Sequence, residues 1–325
     1  MDKQQHLKKK EILVTGGAGF VGSNLVRQLV NHGASVTVLD DFFTGSPANL
    51  EGINCNVIKG TVTDKDLVNE VIAGKEIVFH LAARNIIISN KNPREDLEVN
   101  VVGSFNVFEA CRNHKVSRVV YTSTSSIYGN PKILPISEEA ETLFLSFYSA
   151  SKYSAEVYAR SFYEVYDLPV SVVRYSNVYG YNQSPANPYC GVIGKFIDAA
   201  LNGRAITIHG DGEQTRDFTF IDDAVDATIQ AAIAPKAIGE VYNVGTGVEV
   251  SVNTLAGLIN EVANSPVDIQ YIDKRDIDNI RRRVVNIEKA RYGLQYSPQF
   301  TLKRGLELTV EWFREKVVNV PNVAQ

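Results

Sequence analysis

Two side chains four residues apart, Tyr148 and Lys152, form a pair suited to proton transfer. They lie in a segment with a helical pattern, and residues four apart share a helix face. A tyrosine with an unperturbed pKa of about 10 is a poor base at neutral pH. A neighbouring ammonium stabilises the phenolate and lowers that pKa, so the pair could accept a proton from an alcohol. The same spacing also occurs by chance on exposed helix faces, and its position in the fold must separate the two readings.

A run of hydroxyl side chains, Thr122-Ser-Thr-Ser-Ser-Ile-Tyr-Gly129, leaves a predicted strand. The carboxyl ends of parallel strands face the ligand crevice of an open α/β sheet. There the hydroxyl of Thr124 could share a proton with a substrate alcohol and the tyrosine. In isolation the run is more typical of a polar exit from a strand.

Gly16, Gly19 and Gly22 form a GxxGxxG pattern between a predicted strand and a predicted helix. Glycine permits the tight turn and lets backbone N–H groups approach a pyrophosphate at the helix N-terminus. Asp40 ends the next strand, where a carboxylate can bind an adenosine ribose and repel a 2′-phosphate. Together these features predict a dinucleotide site that prefers NAD to NADP.

Strands and helices alternate through the first half of the chain, which predicts an α/β fold. The strands are predicted at residues 11–15, 36–40, 56–59, 77–81, 118–122 and 170–174. The helices between them are predicted at about residues 19–31, 64–73, 93–114 and 147–167. After Gly180 the pattern is mixed, with further helices predicted at about 191–202, 221–233, 251–264 and 302–316 and a strand at 206–209. We therefore expect a Rossmann-like, doubly wound parallel sheet with a smaller mixed α/β C-terminal domain.

The chain length of 325 residues suggests about two domains. Residues 1–180 are predicted to form the dinucleotide-binding domain, which includes the helix of Tyr148 and Lys152. Residues 181–325 are predicted to form the second domain, with exchange of strands between the two.

The composition excludes several classes of protein. Apolar residues make up 44% and charged residues 22% of the chain, and the formal net charge is −4, so we expect no nucleic-acid partner. The polar first ten residues and the lack of a long apolar run predict neither a signal peptide nor a membrane span. Cys55, Cys111 and Cys190 lack metal-site spacing, so we predict no metal and a reducing, cytoplasmic location.

Eight motifs along the chain jointly resemble those of the extended short-chain dehydrogenase/reductase family. They are TGGAGFVG (15–22), HLAA (80–83), NVVGS (100–104), TSTSSIYG (122–129), YSASK (148–152), RYSNVYG (174–180), GDGEQTRDF (210–218) and YNVGTG (242–247). The resemblance runs from Ile12 to about Phe313 and is to the branch of nucleotide-sugar epimerases, dehydratases and decarboxylases. Within that branch the chain is most similar to UDP-sugar 4-epimerases, which implies that residues 181–325 mainly bind the UDP-sugar.

The resemblance implies contacts to NAD in the first domain. It places the pyrophosphate at the glycine turn and the adenosine ribose at Asp40. The full set implied is Gly16, Gly19, Phe20, Val21, Gly22, Asp40, Thr61, Val62, Leu81, Ala82, Ala83, Asn100, Tyr148, Lys152 and Tyr175.

The resemblance also implies catalytic and substrate residues. Tyr148 is the base, Lys152 its partner and Thr124 the hydroxyl that bonds the sugar. The implied substrate contacts are Arg84, Thr124, Ser125, Ser126, Asn177, Val192, Lys195, Arg216, Arg275, Asp278 and Arg283. Arginines suit a diphosphate because a guanidinium can donate two parallel hydrogen bonds to phosphate; the alternative reading of Arg216 and Arg275 is ordinary surface arginine.

Two departures from the family pattern matter. The family's Gly-Asp-Ile run after the third strand, whose Asp contacts adenine, is here Gly60-Thr61-Val62. The 4,6-dehydratases carry Asp-Glu directly after the catalytic threonine, and the decarboxylases carry a Glu in the second of these positions, where this chain has Ser125-Ser126. Without those carboxyl groups, elimination of water from the sugar has no evident proton shuttle.

The resulting hypothesis is a UDP-sugar 4-epimerase that uses tightly bound NAD. Tyr148, helped by Thr124, takes the proton of the sugar 4-hydroxyl while C4 gives a hydride to NAD, and the 4-keto sugar turns over before the hydride returns. The substrate is UDP-glucose/galactose, UDP-N-acetylglucosamine/galactosamine or, less in keeping with the residues, UDP-glucuronate. Arg283 could crowd an N-acetyl group or pair with a sugar carboxylate, while the outer members of the run Arg281–Arg283 read as solvated.

Other classes remain open at this point. A 4-ketoreductase or dehydrogenase would release NADH, and a decarboxylase would release CO2. A non-enzymatic NAD sensor would have no need for Thr124, Tyr148 and Lys152. Apolar side chains on the helices around 98–113 and 149–166 agree with the family's habit of pairing these helices across a two-fold axis, so we expect a homodimer through a four-helix bundle.

Overall fold

The computed structural model describes residues 3–183, 190–274 and 280–318, with side chains described up to residue 315. Its main sheet has seven strands in the order β11-β6-β5-β4-β1-β2-β3, with every neighbouring pair parallel. These strands are β1 (Glu11–Thr15), β2 (Ser35–Asp40), β3 (Asn56–Lys59), β4 (Ile77–His80), β5 (Arg118–Thr124), β6 (Val170–Tyr175) and β11 (Val241–Val244). The predicted α/β fold with a doubly wound parallel sheet is confirmed.

Three small sheets lie in the second half of the chain or bridge to it. Each has two strands, and the pairs are β7 with β10, β8 with β13, and β9 with β12. Their bounds are β7 (Asn177–Tyr179), β8 (Ile206–His209), β9 (Thr215–Arg216), β10 (Phe218–Phe220), β12 (Val250–Ser251) and β13 (Ile269–Ile272).

The α-helices cover both faces of the main sheet and build the smaller unit. They are α1 (Lys3–Leu7), α2 (Phe20–Asn31), α3 (Lys65–Ile72), α4 (Ile86–Lys91), α5 (Pro93–Asp96), α6 (Ser104–Asn113), α7 (Phe147–Tyr166), α8 (Val192–Leu201), α9 (Ile221–Ile233), α10 (Val252–Ala263), α11 (Glu288–Leu294) and α12 (Leu302–Val318). Single 3₁₀ turns lie at Pro47–Leu50, Ser125–Tyr128 and Pro235–Ala237. Within the described residues, no helix has the length and apolar character needed to cross a lipid bilayer.

Successive residues of the central strands point to opposite faces of the sheet and enter two separate cores. Val14 packs into the core that includes helices α2 and α9, and the adjacent Leu13 packs into the core of α3, α6 and α7. The first core continues into α8, α10 and α12, so the smaller unit shares it with the main sheet. Strand β11 comes from that second half and pairs with β6 at the sheet edge.

The helix predicted over residues 93–114 is present as three consecutive segments. Between α5 and α6 lies a π-helix, Leu97–Gly103. The wider turns of a π-helix often occur near functional sites. Here they accompany a hydrogen bond of 2.6 Å from the hydroxyl of Ser104 to the carbonyl of Asn100. The periodic sequence pattern predicts the helix, but it does not distinguish these wider turns.

Candidate active site

A cavity of about 340 Å³ lies at the carboxyl ends of the strands, where the strand order reverses between β1 and β4. Its wall brings together the glycine turn after β1, the end of β2 and the start of α7. The predicted cofactor residues on this wall are Gly16, Gly19, Phe20, Val21, Gly22, Asp40, Thr61, Val62, Leu81, Ala82, Ala83, Tyr148, Lys152 and Tyr175.

The glycine turn leaves room for backbone alone. Gly16 has φ +70°, and a Cβ there would lie 2.8 Å from the backbone nitrogen of Ala82. A Cβ on Gly22 would lie 2.1 Å from the carbonyl oxygen of Gly16. Helix α2 starts directly after this turn, so its N-terminal N–H groups meet the cavity. An anion is favoured at such a helix end.

Asp40 closes β2 with a nearly buried carboxylate. Its oxygens accept hydrogen bonds from the backbone N–H groups of Ala18, at 2.9 Å, and Phe42, at 2.8 Å. Burial raises the pKa of this carboxyl group, while the two backbone donors lower it. The carboxylate is thus held in one orientation on the cavity wall, and it fits a ribose diol because each oxygen keeps a further lone pair.

Asn100 lies behind the wall of this cavity instead of on it. Its amide oxygen accepts from the backbone N–H of Arg84 at 2.7 Å, and its NH2 group donates to Asp96 at 2.7 Å and Ser151 at 3.1 Å. The oxygen and the nitrogen of its amide are therefore both hydrogen-bonded to other described residues of the protein. Asn100 thus holds Arg84 and Ser151 in place next to the cavity.

Tyr148 lies on the wall at the other end of the cavity, and its hydroxyl forms a hydrogen bond with Thr124. Burial raises the pKa of Tyr148 to about 12, and a hydrogen bond with the hydroxyl of Thr124 partly opposes that rise. Thr124 is also the N-cap of the turn Ser125–Tyr128, with its hydroxyl accepting from the N–H of Ser126 at 3.1 Å. In the free protein, burial thus dominates the pKa of Tyr148, and the effect of the Lys152 ammonium on this phenol stays a prediction.

Lys152 lies one turn after Tyr148 and is buried. Burial lowers the pKa of Lys152 to about 7, against the attraction of Glu156 and Asp96, which raises it. The ammonium lies 4.3 Å from the centre of the Tyr121 ring, a cation–π contact. Near neutral pH, therefore, the free protein contains both the charged and the neutral form of this lysine.

Tyr175 completes this end of the cavity at the last residue of β6. Its hydroxyl shares a hydrogen bond of 2.5 Å with Thr228 on α9. Burial raises its pKa above the usual range, so it stays a neutral wall at physiological pH.

A second cavity, of about 350 Å³, lies between the small sheets and α8. Three predicted substrate residues line it, Asn177, Val192 and Arg216. The guanidinium of Arg216 is held from behind by hydrogen bonds of 2.8 Å to the carbonyls of Thr215 and Ile280. The wall also carries cationic side chains that the sequence interpretation missed or left in solvent, Lys274 and Arg281.

Arg281 is exposed, as the sequence predicts for an outer arginine of the run Arg281–Arg283. It nevertheless lines the cavity, where it forms an ion pair with Asp211 at 2.8 and 2.9 Å. Arg283 is instead buried and lies off both cavity walls. The Gly210-Asp211-Gly212 turn in the sequence could have indicated these two cations, because it brings the carboxylate of Asp211 to the same cavity wall as Lys274 and Arg281.

The other predicted substrate residues are spread more widely. Arg84 is on the wall of the first cavity, where Asp41 and Glu95 each accept from its guanidinium at 2.7 Å. Ser125 and Ser126 follow Thr124 in the turn below the site, and Lys195 is exposed on α8. Arg275 and Asp278 lie outside the described residues.

Some residues on the first cavity wall were not identified from the sequence. They include Asp41, Thr44, Gly45 and Asn85, which come from the loops after β2 and β4. These loops carry no spacing signal of their own, because their approach to the site depends on the neighbouring strands.

Comparisons with known proteins agree with this geometry. The model of the NAD-dependent epimerase/dehydratase family matches residues 12–245. A UDP-glucose 4-epimerase of Mycolicibacterium smegmatis is 39% identical over 311 residues, covering 94% of this chain and 98% of that protein. A UDP-N-acetyl-α-D-glucosaminuronate decarboxylase of Bacillus cytotoxicus is 35% identical, covering 94% and 98%. The crystal structure of UDP-glucose 4-epimerase from Thermotoga maritima, with UDP-glucose, matches with a TM-score of 0.91 at 35% identity, covering 94% of this chain and 99% of that one.

Proposed function

Because the chain belongs to the NAD-dependent epimerase/dehydratase family, we propose that it is a UDP-sugar 4-epimerase. It would invert C4 of a UDP-hexose or a UDP-N-acetylhexosamine through a transient 4-keto sugar. NAD is the cofactor of this family, and the residues present fit it: a glycine turn without room for side chains, a helix N-terminus and the oriented carboxylate of Asp40. When bound, NAD supplies a reversible hydride acceptor with a positively charged ring.

The observation that carries the epimerase proposal is the pair of serines after Thr124. Ser125 is buried, and the hydroxyl of Ser126 accepts a hydrogen bond of 3.2 Å from Thr124. A hydroxyl has no acidic proton near neutral pH, so neither serine can replace the carboxyl groups that a dehydratase uses to remove water. This favours epimerisation over dehydration. It also favours epimerisation over decarboxylation, because the decarboxylases of the family carry a Glu at the second of these positions, although one similar protein is named a decarboxylase.

The proton of the sugar 4-hydroxyl is proposed to pass to Tyr148. Because burial holds its pKa at about 12 in the free protein, the phenol becomes a base only when positive charge is placed beside it. Thr124, which bonds the phenol, would hold the sugar oxygen in line for transfer. After the keto sugar turns over, Tyr148 would return the proton to the same oxygen, so the protein is unchanged after each cycle.

The second cavity is proposed to hold the nucleotide diphosphate. Its wall carries the guanidinium groups of Arg216 and Arg281 and the ammonium of Lys274, which suit phosphate oxygens. A firm hold on the diphosphate with few contacts to the hexose would allow the keto sugar to turn. The remaining predicted contacts, Arg275 and Asp278 among them, stay part of this proposal.

The same proposal covers the organisation of the molecule. Residues 1–180 form mainly the NAD domain and residues 181–325 mainly the UDP-sugar domain, with β11 exchanged into the main sheet. A homodimer through a four-helix bundle is supported by exposed apolar side chains on the π-helix, α6 and α7, namely Leu97, Val102, Phe105, Val157, Tyr158 and Val165. Cys55, Cys111 and Cys190 are free thiols, which supports a reducing, cytoplasmic environment.

Proton NMR of the purified protein with UDP-glucose, UDP-N-acetylglucosamine or UDP-glucuronate, with and without added NAD, tests the function. We expect the 4-epimer of one of the first two, with no loss of carbon and no net NADH. Release of CO2 would instead identify a decarboxylase, an accumulating 4-keto-6-deoxy sugar a dehydratase, and steady NADH formation a dehydrogenase.

Two tyrosines on the same helix give a matched control. Tyr148→Phe removes the phenol on the cavity wall, and we expect turnover to fall by at least about 10³-fold while NAD stays bound. Tyr153→Phe removes the hydroxyl of a tyrosine that packs against Phe144 away from the cavity, and should keep turnover. Equal activity of the two variants would contradict the proposed base.

A further inference from the structure

The carboxylate of Glu156 is buried at the meeting point of α7, β5 and β6. Its side chain is only 4% exposed. Arg174 donates to it through two nitrogens, with Nε 3.0 Å and Nη2 2.7 Å from Oε2. The hydroxyl of Ser123 donates to its other oxygen, Oε1. An ion pair buried this deeply needs several well-aligned donors to offset its desolvation, and this one has them.

The partners of Glu156 directly precede residues of the proposed active site. Ser123 comes one residue before Thr124 on β5, and Arg174 comes one residue before Tyr175 on β6. Ser123 itself lies on the wall of the first cavity. The single carboxylate of Glu156 therefore ties the reacting ends of both strands to α7.

Glu156 also belongs to the charge environment of Lys152. Helical spacing places it one turn beyond Lys152, on the same face. The titratable and charged groups that face this lysine come from every element packed against it, namely Tyr148 and Glu156 from α7, Asp96 from α5, His80 from β4 and Tyr121 from β5.

Two of the groups that face Lys152, His80 and Tyr121, are uncharged, so only carboxylates balance the charge of the lysine. Burial lowers the pKa of His80 to about 3, so it is neutral, and burial raises the pKa of Tyr121. Asp96 is held by donors without charge, the hydroxyls of Ser89 and Ser151 and the amide of Asn100. Among the described residues that face Lys152, the anions are thus Glu156 and Asp96.

We propose that Glu156 is a positioning residue that favours the ammonium form of Lys152 over its neutral form and holds Ser123 and Arg174 at the reacting end of the cavity. The part that concerns catalysis rests on the proposed function; the part that concerns the charge of Lys152 does not. Arg174 holds the carboxylate of Glu156 through its ion pair, and Glu156 in turn opposes the effect of burial on the lysine. Removing the negative charge would leave Lys152 facing one carboxylate, Asp96, and would leave Arg174 without its ion-pair partner.

A charge-only substitution tests this proposal. Glu156→Gln keeps the size of the side chain and an oxygen that can accept from Ser123 and Arg174, but removes the charge. The matched control is Glu138→Gln, because the Glu138 carboxylate accepts from the N–H of Asn243 at 2.7 Å and its carbonyl accepts from Arg174 at 3.0 Å. Glu138 thus belongs to the same polar network but does not face Lys152.

The first readout is the titration of Lys152 in the NAD-free protein. Proteins labelled with ¹³C at the lysine Cε are titrated by NMR, and the Lys152 signal is assigned by its loss in Lys152→Arg. We expect the midpoint to fall by at least about one pH unit in Glu156→Gln and to stay unchanged in Glu138→Gln. An unchanged midpoint in Glu156→Gln overturns the proposal, whatever the enzyme does.

The second readout is the pH profile of epimerisation. In this scheme the neutral lysine is inactive, so the activity of Glu156→Gln should begin to fall at a lower pH than that of the wild type. At pH 8 we expect the variant to be about tenfold less active than the wild type, and near pH 6 most of this difference should disappear. Glu156→Asp, which keeps the charge, should restore the alkaline limb. A uniform loss at all pH values would identify a purely structural role and overturn the positioning role. If the wild type itself shows no epimerisation, the proposed function fails while the NMR titration still decides the charge of Lys152.

Discussion

At the scale of single residues, the chemistry of this site depends on the burial of two ionisable side chains. Lys152 has a pKa of about 7 in the folded protein, against 10.5 when exposed. The unfolded chain therefore binds more protons between these values, and the contribution of Lys152 to stability rises with pH across that window. Well below pH 7, Lys152 is protonated in the folded and in the unfolded protein, and folding then carries the whole unfavourable free energy of burying the ammonium.

This difference predicts how stability changes when the lysine is removed. From pH 7 to pH 9, the free energy of unfolding of the wild type should gain about 2 kcal/mol relative to Lys152→Met. Urea unfolding of the NAD-free proteins at both pH values measures the difference. The control is Lys236→Met, at an exposed lysine. The difference in free energy of unfolding between the wild type and this variant should be the same at both pH values. If the difference between the wild type and Lys152→Met were equally constant, a lowered pKa of Lys152 would be excluded.

At the scale of elements, the turn between β1 and α2 is closely packed and is also the proposed binding site of the NAD pyrophosphate. A Cβ at position 22 would lie 2.1 Å from the carbonyl oxygen of Gly16, so the turn must open to accept it. We predict that Gly22→Ala weakens NAD binding by at least about tenfold, measured by calorimetry. Opening the turn would move the backbone N–H groups that face the cavity, while the main sheet should remain intact.

A second glycine in a helix provides the control for that prediction. Gly257 lies within α10, and a Cβ there would meet nothing within 4 Å. Gly257→Ala should leave NAD affinity unchanged and raise the free energy of unfolding by about 0.5–1 kcal/mol, because alanine loses less entropy in a helix. If both variants bound NAD like the wild type, the close packing of this turn would not matter for binding.

At the scale of the whole molecule, the exposed apolar side chains of α6, of the π-helix before it and of α7 predict a dimer. Phe105 and Tyr158 meet edge to face with ring centres 5.4 Å apart, and both remain partly exposed. Val157 beside them is 49% exposed. Sedimentation should show a dimer for the wild type and a monomer for Val157→Glu, because a second copy would bury the introduced charge.

Val248 gives a control at a different surface. It is 61% exposed in the loop after β11. Val248→Glu should leave the dimer intact. A monomeric wild type, or a dimer that survives Val157→Glu, would contradict the proposed four-helix bundle.

Local spacing allowed the sequence to predict the sheet, the dinucleotide site and the Tyr148–Lys152 pair. A strand followed by a glycine turn and a helix has nearly the same shape wherever it occurs, and residues four apart on a helix share a face. For the same reason, the central strands and most helices begin and end within one or two residues of their predicted limits. Strand β11 was not predicted, because its place beside β6 depends on a pairing across the chain.

By itself, then, the sequence determined the fold class and the family's cofactor, NAD, and it placed the glycine turn and the Tyr148–Lys152 pair that are proposed to bind NAD and to react. Only the tertiary structure decided the charge state of that site, since Lys152 and Tyr148 take their pKa values from burial and from Glu156, Asp96 and Thr124. It also decided that Lys274 and Arg281 share a wall with Arg216. The physical reason is that desolvation and contacts between distant segments exist only once the chain is packed, and no local pattern records them.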